Sequence, residues 1–179
     1  MLAVTASMSG TDLQISLGAA DDVAYLSVQG TNYIVRGTGI ADGGFTVGNA
    51  EVDSVTVAGT SDGNQSFIVA AGVGPVLTDS LDVASSVQNT TVAGTIDTPG
   101  TVTIGSNAIT LAADVTTAGK QDYQGDVGLV GTRTLSAGTA DVKFGGKIDS
   151  SPLLFADPDA FSAGTPLTNA FAEIGRAHV

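Results

Sequence analysis

The sequence predicts an all-β fold, a β-solenoid, with a β-sandwich as the alternative. Three observations carry that expectation. Charged residues make up only 13% of the chain while Gly accounts for 24 of 179 residues. Val, Thr, Ser and Ala fill most of the remainder; β-branched residues favour strands and glycines favour tight turns. Apolar residues recur at every second position, and no stretch of helical length carries a helical stripe. Hairpin signals are scarce: Asp42-Gly43 and Asp62-Gly63 are the only Asp-Gly pairs, and Asn-Gly is absent. Parallel coils need no such turns, so the scarcity favours the solenoid over the sandwich.

The elements follow in order from the alternation. Leu13, Ile15 and Leu17 share one face, as do Leu26 and Val28, then Phe45 and Val47, then Val55 and Val57. Phe67 and Val69, Leu81 and Val83, and Val102 and Ile104 continue the pattern. Ile109, Leu111, Ala113 and Val115 come next, followed by Tyr123, Val127 and Leu129, and finally Val142 and Phe144. Period two with one apolar face means strands buried on one side, which points Val142 and Phe144 inward and Lys143 outward. The pentapeptide TVAGT occurs at Thr56–Thr60 and again at Thr91–Thr95, a loose self-similarity that suits stacked coils. The expected organisation is a solenoid region over residues 1–150. From Ser150 the alternation stops, and residues 151–172 read as an irregular proline-containing segment or an incomplete further coil.

The last seven residues, Glu173 to Val179, break the local style and hold the only His of the chain. EIGRAHV matches the translation of a common short-read sequencing adapter. Residues 173–179 are therefore expected to be non-native, with no role for Arg176 or His178, and the chain is expected to be a piece of something longer.

Composition narrows the function classes. The net charge is −12, from 18 acids against 6 bases, which argues against nucleic acid as a partner. No apolar run reaches the length of a membrane span, so no membrane insertion is expected. Cysteine is absent, which removes disulfides and thiolate metal sites. The start, MLAVTASMSGTDLQ, has no basic region and no adequate apolar run for a signal peptide.

Candidate chemistry is thin. Asp21-Asp22 offers two adjacent carboxylates for Ca²⁺, but such a pair more readily caps a turn, and no calcium-roll repeat supports a metal. Asp62-Gly63-Asn64 reads as a turn. Asp157 and Asp159 flank Pro158 and suggest a turn or helix start. GTGIADGG, Gly37–Gly44, lacks the spacing of a dinucleotide loop. Lys120, Arg133, Lys143 and Lys147 are expected to be solvated outward positions, with contact to an acidic glycan as the sharper reading. No catalytic, cofactor-binding or metal residue is assigned, and no cofactor is expected.

The stretch Ile109 to Asp149 resembles the β-strand repeats of filamentous-haemagglutinin-like proteins, also called autotransporter-associated repeat proteins. The resemblance rests on Ala113, Asp114, Val115, Thr116, Gln121, Tyr123, Gly125, Val127 and Leu129. It continues through Thr134-Leu135 and then Val142, Phe144, Gly145, Gly146, Ile148 and Asp149. It implies a right-handed parallel β-helix in a large bacterial surface-exposed or secreted protein, non-catalytic, serving as an adhesin stalk or spacer. Its implied partners are neighbouring repeats of the same longer chain and, for an adhesin, host or matrix glycans or proteins. Two competing functions stand beside it: a carbohydrate-binding β-sandwich module, and a β-helical polysaccharide lyase or hydrolase. The sandwich module would want exposed aromatics, yet most of the three Tyr and six Phe fall at inward-phased positions.

Overall fold

The computed structural model describes residues 3–41, 43–60 and 63–151. They form a β-solenoid of about four turns, built from stacked parallel coils. One face is a sheet of β2 (Asp12–Ser16), β6 (Ser54–Ala58), β8 (Ser80–Val83), β10 (Thr101–Ile104), β13 (Gln121–Tyr123) and β16 (Val142–Phe144). Every neighbouring pair in that series is parallel. The second face holds β3 (Val23–Gln29), β7 (Ser66–Val76), β9 (Asn89–Thr98), β11 (Ala108–Leu111), β14 (Asp126–Val130) and β17 (Ile148–Ser151), again parallel throughout. A third, shorter face is made by the end of β9 with β12 (Val115–Thr117) and β15 (Leu135–Ser136). This pairing excludes the sandwich. Strands that follow each other in sequence, such as β10 and β11, lie on different faces and pair with the coils above and below.

Register turns the sequence alternation into columns. Ile15, Val57, Val83, Ile104, Tyr123 and Phe144 stand one above another, and Leu13, Val55, Leu81, Val102, Gln121 and Val142 form the column beside them. Across the core run Leu26, Val69, Val92, Leu111 and Leu129. Those apolar members are buried down to Leu129, while Val142 and Phe144 at the last coil are half-buried. Steps such as Val102 to Gln121 to Val142 set a coil of roughly 20 residues, short for a solenoid repeat. Size complementarity is visible where Phe67 is flanked in its column by Ala24 on one side and Thr90 on the other. A ring between small neighbours fills the layer without forcing the coils apart.

Glycine makes one corner possible. At Gly125, between β13 and β14, a Cβ would lie 1.9 Å from the carbonyl oxygen of Ser106 in the preceding coil. The corners stack so closely that backbone meets backbone, and only a residue without a side chain fits.

The first coils depart from this scheme. β1 (Thr5–Ser9) pairs antiparallel with β2. β3 pairs antiparallel with β4 (Asn32–Gly37), which pairs antiparallel with β5 (Phe45–Gly48). A single 3-10 turn, Asn49–Glu51, leads back to the solenoid. The two tight hairpins share a turn: Ser9-Gly10-Thr11-Asp12 and Gln29-Gly30-Thr31-Asn32, with Gly10 at φ 64° and Gly30 at φ 61°. Positive φ at the first central residue is what two-residue hairpin turns require, and Gly supplies it. The TVAGT copies occupy unlike places: Thr56–Ala58 belong to β6 on one face, and Thr91–Thr95 to β9 on another. The true repeat is therefore structural, not that pentapeptide.

Candidate functional site

Two inward-facing glutamines organise the interior. Gln121, buried in an apolar column, donates from its amide nitrogen to the carbonyl oxygens of Val115 (3.1 Å) and Ser136 (2.8 Å) and to the Thr117 hydroxyl (3.2 Å). Its amide oxygen accepts from the Tyr123 hydroxyl at 2.9 Å. Gln65 repeats the arrangement earlier in the chain, donating to the carbonyls of Leu17 (3.0 Å) and Ala19 (2.8 Å) and to the Thr60 hydroxyl (2.9 Å). The carbonyls of Val115 and Ser136 belong to β12 and β15 on neighbouring coils, and those of Leu17 and Ala19 to the turn after β2, so each glutamine amide ties two carbonyls together from inside the coil. A buried carbonyl without a donor costs roughly 1–3 kcal/mol, so a side-chain amide is the economical bracket. Burial of Tyr123 pushes its hydroxyl well above the ordinary tyrosine range, because the phenolate would lose its water. The Gln121 cluster is satisfied and closed, a structural clasp, whereas the buried Gln65 amide oxygen has no partner among the described residues.

The acidic candidates are occupied by local tasks. Asp22 is buried, and its carboxylate accepts from the backbone N–H of Gly18 (3.0 Å) and Ala19 (2.8 Å), so it caps the turn before β3. Asp21 is exposed and holds a positive φ of 61°. Asp53 accepts from the Thr78 hydroxyl, and hydrogen bonds from Thr78 and Thr11 hold its carboxyl below the usual range. Among the described residues no group of three or more His, Cys, Asp or Glu is placed to hold a metal ion. Asp62, Asp157, Asp159, Arg176 and His178 lie outside the described residues. The loop that begins at Gly37 leads from β4 into β5, a strand and not a helix.

The basic candidates separate. Lys120 pairs with Asp122 at 2.7 Å, and Lys143 stands in register beside Asp122 one coil on. Lys143 and Lys147 are exposed. Arg133 departs from the outward expectation: it is half-buried, and its Nη1 donates to the Thr132 carbonyl at 2.9 Å. Lys120 and Lys143 thus flank the same carboxylate, while Arg133 is engaged with its own backbone.

Another surface feature went unremarked in the alternation. Tyr25 sits on β3 at the polar phase, between buried Ala24 and Leu26, and its side chain is 44% exposed. Directly opposite on β4 is Arg36, exposed. With Val23, Ser27, Thr38 and Ala70 they line a shallow groove of about 600 Å³. The signal was an aromatic ring at a position where the alternation calls for Thr or Ser.

No family model, curated protein or solved structure matches the chain. No helix among the described residues is long and apolar enough to cross a membrane.

Proposed function

We propose that this chain is a structural segment of a larger surface-exposed or secreted repeat protein, in which it acts as a stalk or spacer of an adhesin. The observation that carries the reading is the continuity of the core columns, from Leu13 and Ile15 through to Val142 and Phe144. Each coil contacts chiefly its neighbours, so length can be added by adding coils. A rod of that kind sets distance, which is what a stalk does. The low charge density and net charge of −12 suit a chain kept soluble outside the cell. The sequence resemblance over Ile109 to Asp149 points the same way. The polysaccharide-lyase reading draws no support from the groups described above, whose acids are dispersed and engaged in turns.

The test is location. Antibodies raised against residues 80–151 should label intact cells of the source organism, and protease added outside should remove the label. Antigen found only after lysis, in the cytosol, would overturn the proposal.

A further inference from the structure

We infer that the groove at Tyr25 and Arg36 binds a carboxylate-bearing saccharide, with the sugar ring on the tyrosine and the carboxylate on the guanidinium. This rests on the surface-protein reading and deepens it by naming a ligand class.

Four observations support it. Tyr25 and Val130 are the exposed large hydrophobic side chains among the described residues, and only Tyr25 brings a flat ring. Tyr25 lies within the sheet, with Arg36 opposite on one side and Ile68 on the other, so its orientation is fixed by two strands. Arg36 is exposed, and the described residues provide it with no carboxylate partner; the ion pair they contain is Lys120 with Asp122. The groove is floored by small residues, Gly37 and Ala70, and none of its lining residues is acidic although the chain carries 18 acids.

Each feature has a chemical consequence. An open aromatic face in water packs against the C–H face of a sugar ring at low entropic cost, since Tyr has only two side-chain torsions. A guanidinium to which the described residues give no carboxylate offers a planar fork of donors that matches one in two parallel hydrogen bonds. Residues opposite each other on antiparallel strands hold their Cβ atoms about 5 Å apart, so one bound sugar can reach both groups. A shallow, open groove favours a flat ring over an inserted peptide side chain, which would need a pocket. In an otherwise acidic chain, a groove whose described lining holds a cation and no carboxylate favours an anionic ligand. The outward column that begins at Tyr25 continues over Ile68, Thr91 and Thr110, which gives a polymer hydroxyl partners on successive coils.

The full chain should be titrated with oligogalacturonate as the carboxylated probe, dextran as the neutral one and heparin as the sulfated one. Binding should be seen with oligogalacturonate, exceed that to heparin, and be absent with dextran. Tyr25→Ala and Arg36→Ala should each weaken it by about ten-fold or more, the size of one charge-assisted contact. Tyr25→Phe should retain binding, because the ring remains. All three variants should keep the parent's melting temperature within a few degrees, and amide shifts on titration should centre on β3 and β4. Absence of binding to oligogalacturonate would overturn the inference. So would binding by both alanine variants as tight as the parent's, or a loss reproduced by Lys143→Ala with Lys147→Ala. None of these outcomes bears on where the protein resides, so the glycan site and the surface location fail separately.

Discussion

The N-terminal coils and the later coils solve the same packing problem by different connections. Residues 5–48 use antiparallel hairpins, with Gly-Thr turns at Gly10-Thr11 and Gly30-Thr31. Residues 80–151 use parallel coils alone, joined by corners. The hairpin places β1 along the outer edge of β2, so the sheet ends on an antiparallel strand. The later coils leave each edge for the next coil to pair. The difference shows in what glycine does. In the hairpins it supplies a backbone angle; in the corners it supplies room.

Substitution at those glycines should separate the two roles, and the corner should give the largest effect. Gly125→Ala forces a Cβ against the Ser106 carbonyl, a backbone atom that cannot yield. The expected loss is more than about 3 kcal/mol, with failure to fold at the extreme. Gly10→Ala meets open space and has only its φ of 64° to oppose it, so it should cost about 1–2 kcal/mol in urea melts. Equal losses would mean the corners are looser than the register implies.

Depth in the stack should matter next. Phe67→Ala empties a fully buried site and should cost roughly 3–5 kcal/mol. Phe144 stacks on Tyr123, with ring centroids 5.3 Å apart, but it is half-buried in the last described coil. Its truncation should cost less than half as much. Hydrogen exchange should show β16 and β17 released first in that variant, because a solenoid loses stability coil by coil.

The glutamine clasp gives an intermediate effect. Tyr123→Phe strands the Gln121 amide oxygen in the core and should cost about 1–3 kcal/mol. The same hydroxyl sets a pH dependence. Its folded pKa is raised by burial, so its contribution is present below the ordinary tyrosine range near 10 and is lost as pH rises above it. Tyr123→Phe should abolish that alkaline loss. Smallest of all, Lys143→Ala on the exposed face should stay within about 0.5 kcal/mol.

The sequence made the inward face legible because burial and period two coincide. Leu81, Val83, Val102, Ile104, Ile109 and Leu111 stand where the alternation placed them, and all are buried. The hairpins were illegible to a search for Asp-Gly and Asn-Gly, because Ser-Gly-Thr-Asp and Gln-Gly-Thr-Asn build the turn with glycine in the first central position. Gln65 and Gln121 were hard to assign because polarity argues for the surface. Only the three-dimensional course of the coils brings together the carbonyls that these amides bracket. Tyr25 was masked in the opposite way: its place in the alternation was right, and its size was the anomaly. Asp22 was legible as a turn cap, since a short carboxylate just ahead of a strand finds the backbone N–H groups of its own turn.

Cross-linking tests the stacking of parallel coils most directly, because the chain has no cysteine of its own. Thr91 and Thr110 are register partners on neighbouring coils and both face outward. Thr103 and Thr110 are closer in sequence but sit on different faces, in β10 and β11. A disulfide needs Cα atoms within about 7 Å. The double variant Thr91→Cys with Thr110→Cys should oxidise rapidly to an intramolecular disulfide, while Thr103→Cys with Thr110→Cys should remain reduced under the same conditions. The reverse outcome, with Thr103 and Thr110 joined and Thr91 and Thr110 apart, would mean that β10 and β11 form a hairpin and would contradict the solenoid.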